Sequence, residues 1–161
     1  MALTDIRISD EIVISHQCMH SSKRNRALDT ALLVNRTLNA LKRYINTPPG
    51  MKVRIASLGP WGKYENSTKT IHLSYKLPWR SALEVLAHEM VHAEQFLENR
   101  LSLGFRRGKA YFKWEGKWCG NRGTTYQSYR AQPWEQEAFD RQCMLADWVC
   151  DDLDEQYGQS A

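Results

Sequence analysis

Residues 83–95 read Leu-Glu-Val-Leu-Ala-His-Glu-Met-Val-His-Ala-Glu-Gln, LEVLAHEMVHAEQ. Leu83, Leu86, Met90 and Val91 recur at three and four positions, the period of a helix that fixes apolar faces against a core. Ser81 stands as its N-cap with Glu84 three residues on to close a capping box, and the predicted helix runs to about Arg100. His88 and His92 are four apart, so their imidazoles leave the same helix face one turn from each other and can converge on one ion. Glu89 is rotated by one residue, badly placed to bind that ion but well placed to hold a water beside it. The spacing therefore separates metal ligand from base. Zinc suits the donors, because imidazole nitrogen and carboxylate oxygen are ordinary zinc ligands and a catalytic site uses three of them plus an open position.

The third ligand is sought downstream, in Tyr129-Arg130-Ala131-Gln132-Pro133-Trp134-Glu135-Gln136-Glu137-Ala138-Phe139. Pro133 is acceptable in a first helical turn, and Phe139, Met144, Leu145, Trp148 and Val149 continue a last helix. Glu135 and Glu137 both qualify, but residues two apart on a helix point about 200° apart, so only one of them can face the ion. The other is expected in solvent or paired with a basic residue. Tyr126, Tyr129 and His72 are candidate donors to an oxyanion.

Upstream, Ile6, Ile8, Ile12 and Ile14 suit a short strand or an extended arm within residues 1–20. From about Ser22 to Ile45, Leu28, Ala31, Leu32, Leu38, Leu41 and Ile45 form the stripe of an amphipathic helix, which Thr47-Pro48-Pro49-Gly50 stops. Met51 to Leu58 alternates as a half-buried strand, Gly59-Pro60-Trp61-Gly62 turns the chain, and Ile71, Leu73 and Tyr75 alternate in a second strand. Gly104, Gly108, Gly116, Gly120 and Gly123 punctuate residues 101–130, predicted as a loop with short strands. The class is α+β in a single domain covering residues 1–161, which is long enough to bury a core. Trp79, Trp114, Trp118 and Trp134 could border a cleft, but aromatic residues mostly build cores and none is assigned a substrate role.

The 22 basic and 18 acidic residues give a net charge of +4. Much of the excess lies in Lys23-Arg24-Asn25-Arg26 and Arg106-Arg107-Gly108-Lys109, which favour an anionic partner such as a nucleic acid only weakly. No apolar run is long enough to cross a membrane, and the first residues lack a secretion signal, so a cytoplasmic location is expected. Cys18, Cys119, Cys143 and Cys150 form no C-x-x-C pair, which excludes a zinc ribbon; Cys143 and Cys150, seven apart, are expected to pack as small hydrophobes.

With HEMVHAEQ preceded by TIHLSY and followed by PWEQEA, the chain resembles gluzincin-type zinc metallopeptidases over about residues 68–142, in particular the small minigluzincin and SprT-like forms. The resemblance implies a small zincin-like domain: an N-terminal helix, a short twisted sheet, an HExxH helix and a C-terminal helix carrying the third ligand. It also implies hydrolysis of a peptide or protein substrate, with His88, His92 and zinc as the metal centre and Glu89 as general base. The family's E-x-x-A pattern falls on Glu135-Gln136-Glu137-Ala138 and selects Glu135. In that family the strand before the HExxH helix forms a sheet edge along which an extended peptide binds, here Ile71 to Tyr75. Where related helices carry Asp or Asn after the alanine to support a ligand histidine, this chain has Phe139. Two other functions remain open on the sequence: a nucleic-acid-associated SprT-like protein, and a catalytically retired module that keeps zinc for stability. The retention of Glu89 speaks against the second, since a structural site has no use for a base that does not bind the ion.

Overall fold

The computed structural model describes residues 5–19, 21–57, 59, 61–120 and 125–158. Leu58, Pro60 and Gly123, assigned above to a strand end and to turns, lie outside them, as do residues 1–4. The elements run β1 (Ile6–Arg7), β2 (Ile12–Ile14), α1 (Ser21–Leu41), β3 (Lys52–Ala56), β4 (Gly62–Glu65), β5 (Thr70–Ser74), α2 (Trp79–Leu97), β6 (Leu101–Arg106), β7 (Lys109–Trp114), β8 (Lys117–Trp118), α3 (Tyr126–Arg130) and α4 (Pro133–Gly158). The protein is α+β, with helices packed on a five-stranded sheet of order β1-β2-β3-β5-β4 and a separate three-stranded sheet of order β6-β7-β8.

Alternation explains the main sheet. Ile12 and Ile14 on β2, Val53 and Ile55 on β3, and Ile71 and Leu73 on β5 are fully buried, and the register puts them side by side. Such a row makes one face of the sheet continuously apolar. On the other face Arg54 reaches Asp5 and His72 faces Glu65. The apolar face is covered by α1 through Ala27, Ala31, Val34, Leu38 and Leu41, and by α2. Residues 6–14 are thus two strands of the sheet rather than an arm, β2 running parallel to β3. The α1 stripe differs in detail from the expected one, since Leu32 points outward and the helix ends at Leu41.

Three other expectations are corrected. β5 is not an edge: it lies between β3, parallel, and β4, antiparallel, so the free edge on that side belongs to β4. β4 begins at Gly62, inside what reads as a turn. The Ser81–Glu84 capping box does not form either. α2 starts three residues earlier, at Trp79 with Pro78 rather than Ser81 at its N-cap and no side-chain cap, and Glu84 pairs with Arg80 instead.

The short strands expected between residues 101 and 130 are present, and in residues 101–120 they pair into a regular meander in place of the expected loop. Arg106 pairs with Lys109 and Trp114 with Lys117, which leaves two-residue turns at Arg107-Gly108 and Glu115-Gly116, all four residues at positive φ. Those are the primed turns whose twist matches that of antiparallel strands. Of the cysteines on α4, Cys150 packs against the core and Cys143 is exposed. Among the described residues no helix is long and apolar enough to cross a membrane.

Candidate metal centre

His88, Glu89 and His92 sit on consecutive turns of α2, all three buried. α4 crosses α2 so that Glu135, in its first turn and 1% exposed, meets both imidazoles. His88 Nε2 is 3.3 Å from Glu135 Oε2, His92 Nε2 is 3.4 Å from the same oxygen, and the two Nε2 atoms are 3.1 Å apart. Around a tetrahedral ion bound at about 2.0–2.1 Å, neighbouring ligand atoms stand about 3.3–3.4 Å apart. The three atoms have the spacing of one face of such a tetrahedron, with the fourth corner open.

The protons give the same answer. Gln95 donates its amide N–H to the Trp134 carbonyl at 3.0 Å, so its Oε1, 2.9 Å from His92 Nδ1, accepts. A neutral His92 therefore carries its proton on Nδ1 and turns a lone pair from Nε2 into the cluster. His88 is held likewise, with Nδ1 2.9 Å from Gln142 Oε1. Two imidazole lone pairs and a carboxylate oxygen then face one another with no proton between them, a set that only a cation reconciles. His88, His92 and Glu135 could accordingly hold a metal ion. Without an ion, a proton takes that place. Burial opposes charging His92, but hydrogen bonding to Glu135 and the nearby Glu89 charge win, and its pKa is raised. Burial likewise opposes ionising Glu135, yet hydrogen bonds from His88, His92 and Tyr129 bring its carboxyl down to about 2.

Glu89 stands beside the triad and outside it. Its Oε2 accepts the Tyr64 backbone N–H at 2.7 Å, which ties the helix carboxylate to the edge of the sheet. Tyr64 is on β4, and the groups it turns away from β5 are those an edge strand would otherwise present to a partner. The approach is close enough to require glycine at position 62. A Cβ there would lie 2.6 Å from Val85 Cγ1 and 3.0 Å from Glu89 Cγ.

Two depressions open on either side of the triad, and both are lined by Gly62, Lys63, Glu89 and Tyr129. The smaller, about 70 Å³, is closed by Phe96, Leu101, Phe112 and Trp134. The larger, about 500 Å³, lies between Trp61, Val85, Tyr126 and Phe139. Together they make a cleft along β4 with the triad at its middle.

The expected residues are therefore partitioned. His88, His92 and Glu135 converge; Glu137 faces away and takes a bidentate ion pair from Arg100 at 2.6 and 2.9 Å. Tyr129 lies in the cleft and bonds Glu135, Tyr126 borders only the larger depression, and His72 is on β5 against Glu65 and lines neither depression. Phe139 supports His88 by an edge-on ring contact of 4.6 Å rather than by a hydrogen bond. Gln95 and Gln142 were missed. Their signal was spacing alone: Gln95 is three residues beyond His92, and Gln142 is seven beyond Glu135, so each shares a helix face with a ligand.

Comparison with known proteins gives no match: no protein-family model, no curated protein and no solved structure is found to be similar to this chain.

Proposed function

We propose that the protein is a zinc metallopeptidase of zincin-like design. The observation that carries this reading is the group of two imidazole nitrogens and one carboxylate oxygen at tetrahedral spacing, with a carboxylate beside it that does not ligate. His88, His92 and Glu135 would hold zinc. When bound, zinc lowers the pKa of a water and polarises a carbonyl, which makes hydrolysis accessible near neutral pH.

The chain's own residues do the rest. Glu89, oriented by the Tyr64 amide, takes a proton from the attacking water as its oxygen bonds to the scissile carbon. It returns that proton to the amine as the C–N bond breaks, so the products are a carboxylic acid and an amine. Tyr129, whose hydroxyl bonds Glu135 in the metal-free site, would turn that donor to the oxyanion that develops on the carbonyl. An extended peptide laid along the outer edge of β4 would find backbone partners there apart from the Tyr64 N–H, which Glu89 already holds, with alternate side chains falling into the two depressions. Their unequal sizes favour a bulky apolar side chain on one side of the scissile bond and a small one on the other.

The first test is metal content by elemental mass spectrometry, with hydrolysis of an unfolded protein substrate measured alongside. One zinc per chain in the parent, none in His88→Ala, and retained zinc with activity lowered about 10²–10⁴-fold in Glu89→Gln are expected. Zinc bound equally by the parent and Glu89→Gln, with hydrolysis in neither, would instead make this a metal-stabilised module without catalysis.

A further inference from the structure

Another depression shares no residue with the cleft. It lies where α1, the end of β5 and the start of α2 meet, and its volume is about 240 Å³. That is below the roughly 300–1,000 Å³ of sites for drug-sized ligands, so the occupant it admits is small. Leu33, Leu77 and Ala82 give it apolar walls, and the indole of Trp79, 62% exposed, stands among them.

α1 supplies the polar side. Arg26, Asp29, Thr30 and Leu33 are spaced by the period of a helix and form a stripe beside the buried one of Ala27, Ala31 and Val34. Residues three apart on a helix are neighbours able to pair. Arg26 and Asp29 nevertheless form no ion pair with each other or with any other described residue. The hydroxyl of the buried Thr30 donates to the Arg26 carbonyl at 2.9 Å, which leaves its oxygen to the depression as an acceptor.

β5 supplies the observation that points to a ligand. Tyr75 is only 5% exposed, yet among the described residues its hydroxyl has no hydrogen-bond partner. Nor is that oxygen sealed in the core, so it opens into the depression that the residue lines. A buried phenol with its polar end set this way takes its partner from whatever fills the space. α2 also begins here, at Trp79 with no side-chain cap, and the N–H groups of its first turn favour negative charge.

We propose that this depression binds a free α-amino acid with an apolar side chain. Its carboxylate pairs with Arg26 and accepts the Tyr75 hydroxyl, its ammonium meets Asp29 and the Thr30 oxygen, and its side chain lies between Leu33, Leu77 and Trp79. Opposite charges one helical turn apart, neither of them neutralised, match a zwitterion. A peptide fits less well, because its first residue carries only the ammonium and its last only the carboxylate. A simple carboxylate would leave Asp29 without a partner, and a simple amine would leave Arg26 without one. Bound there, the amino acid bridges α1 and α2 outside the cleft, so the proposal does not rest on peptidase activity.

The test is isothermal titration calorimetry of the full-length protein with L-leucine, L-methionine and L-phenylalanine, with chelator present so that no amino acid is counted on a metal ion. Saturable binding of at least one of them below about 10 mM is expected. The N-acetyl derivative of that amino acid, which lacks the ammonium, and its amide, which lacks the carboxylate, should each bind at least tenfold more weakly. Arg26→Gln and Asp29→Asn alter exposed side chains without ion-pair partners, so they should fold as the parent does and each weaken binding at least tenfold. Tyr75→Phe should weaken it about threefold to tenfold and unfold at the parent's temperature, since the hydroxyl serves the depression and not the core. Binding of none of the three amino acids would overturn the proposal. So would binding that Arg26→Gln and Asp29→Asn leave unchanged, which would place the amino acid elsewhere, or equal binding of the N-acetyl derivative, which would make this a site for anions alone.

Discussion

At the scale of single residues, the choice between Glu135 and Glu137 is the sharpest. The about 200° between them on a helix means that one faces the imidazoles and the other does not. Glu135→Ala should abolish metal binding, measured by elemental analysis. Glu137→Ala should keep the metal and lower stability by about 1–3 kcal/mol in urea unfolding, because Arg100 loses its bidentate partner. The either/or was legible in the sequence; which of the two faces inward was not, since that depends on how α4 rolls against α2.

Protons and metal compete for the same atoms. His92 has a raised pKa in the metal-free protein, so it is charged at pH values where an ordinary histidine is neutral, and a charged imidazole cannot ligate. Metal affinity should therefore fall as pH is lowered through that raised value, read by zinc titration with a chromophoric chelator. In chelated protein the sign for His92 is opposite. Its raised pKa contributes stability that is full below 6.5 and lost as pH rises through the folded value. The lowered pKa of Glu135 contributes stability that is full above 4.5 and lost as pH falls towards about 2. For these two groups the metal-free protein should be most stable between pH 4.5 and 6.5, by thermal unfolding in chelator.

Among the elements, β4 is the one on which the cleft depends and the one the sequence hid. Four residues, starting with a glycine after Gly59-Pro60-Trp61, carry too little alternation to be distinguished from a turn. The meander was obscured for a related reason: Arg107 and Glu115 occupy turn positions where Asn or Asp would have announced a hairpin. Long helices and buried strands, by contrast, repeat their pattern often enough to be read. Gly62→Ala tests how tightly β4 is seated. Its Cβ must displace Val85 or Glu89, so the variant should lose about 1–3 kcal/mol and, on the proposed function, most of its activity while retaining metal. Val85→Ala in the same chain should return part of both, measured by urea unfolding and hydrolysis.

For the whole molecule, strand order was the feature beyond sequence reasoning. Ile71 to Tyr75 shows the alternation of a half-buried strand whether it lies inside a sheet or at its edge, and only the pairing with both β3 and β4 decides. The candidate metal centre has a comparable reach. His88 and His92 on α2 and Glu135 on α4 join the two helices that pack most extensively against each other. Arg141 adds a second link through Glu94, whose other oxygen accepts the Asn46 backbone N–H at 2.7 Å beyond α1. On the proposed function, chelation should accordingly lower the unfolding temperature of the entire domain in one transition, by an amount that shrinks as free zinc is restored.

The position of Glu135 on α4, downstream of α2, also sets a timetable. Synthesis at about 5–20 residues per second delivers α2, with both histidines and Glu89, seconds before α4 can leave the ribosome. During that interval the chain holds the base and two ligands but lacks the carboxylate that closes the metal face and the glutamine that orients His88. On the proposed function, a nascent copy is thus harmless to neighbouring nascent chains until α4 docks on α2, and the competence to cut arrives with that docking.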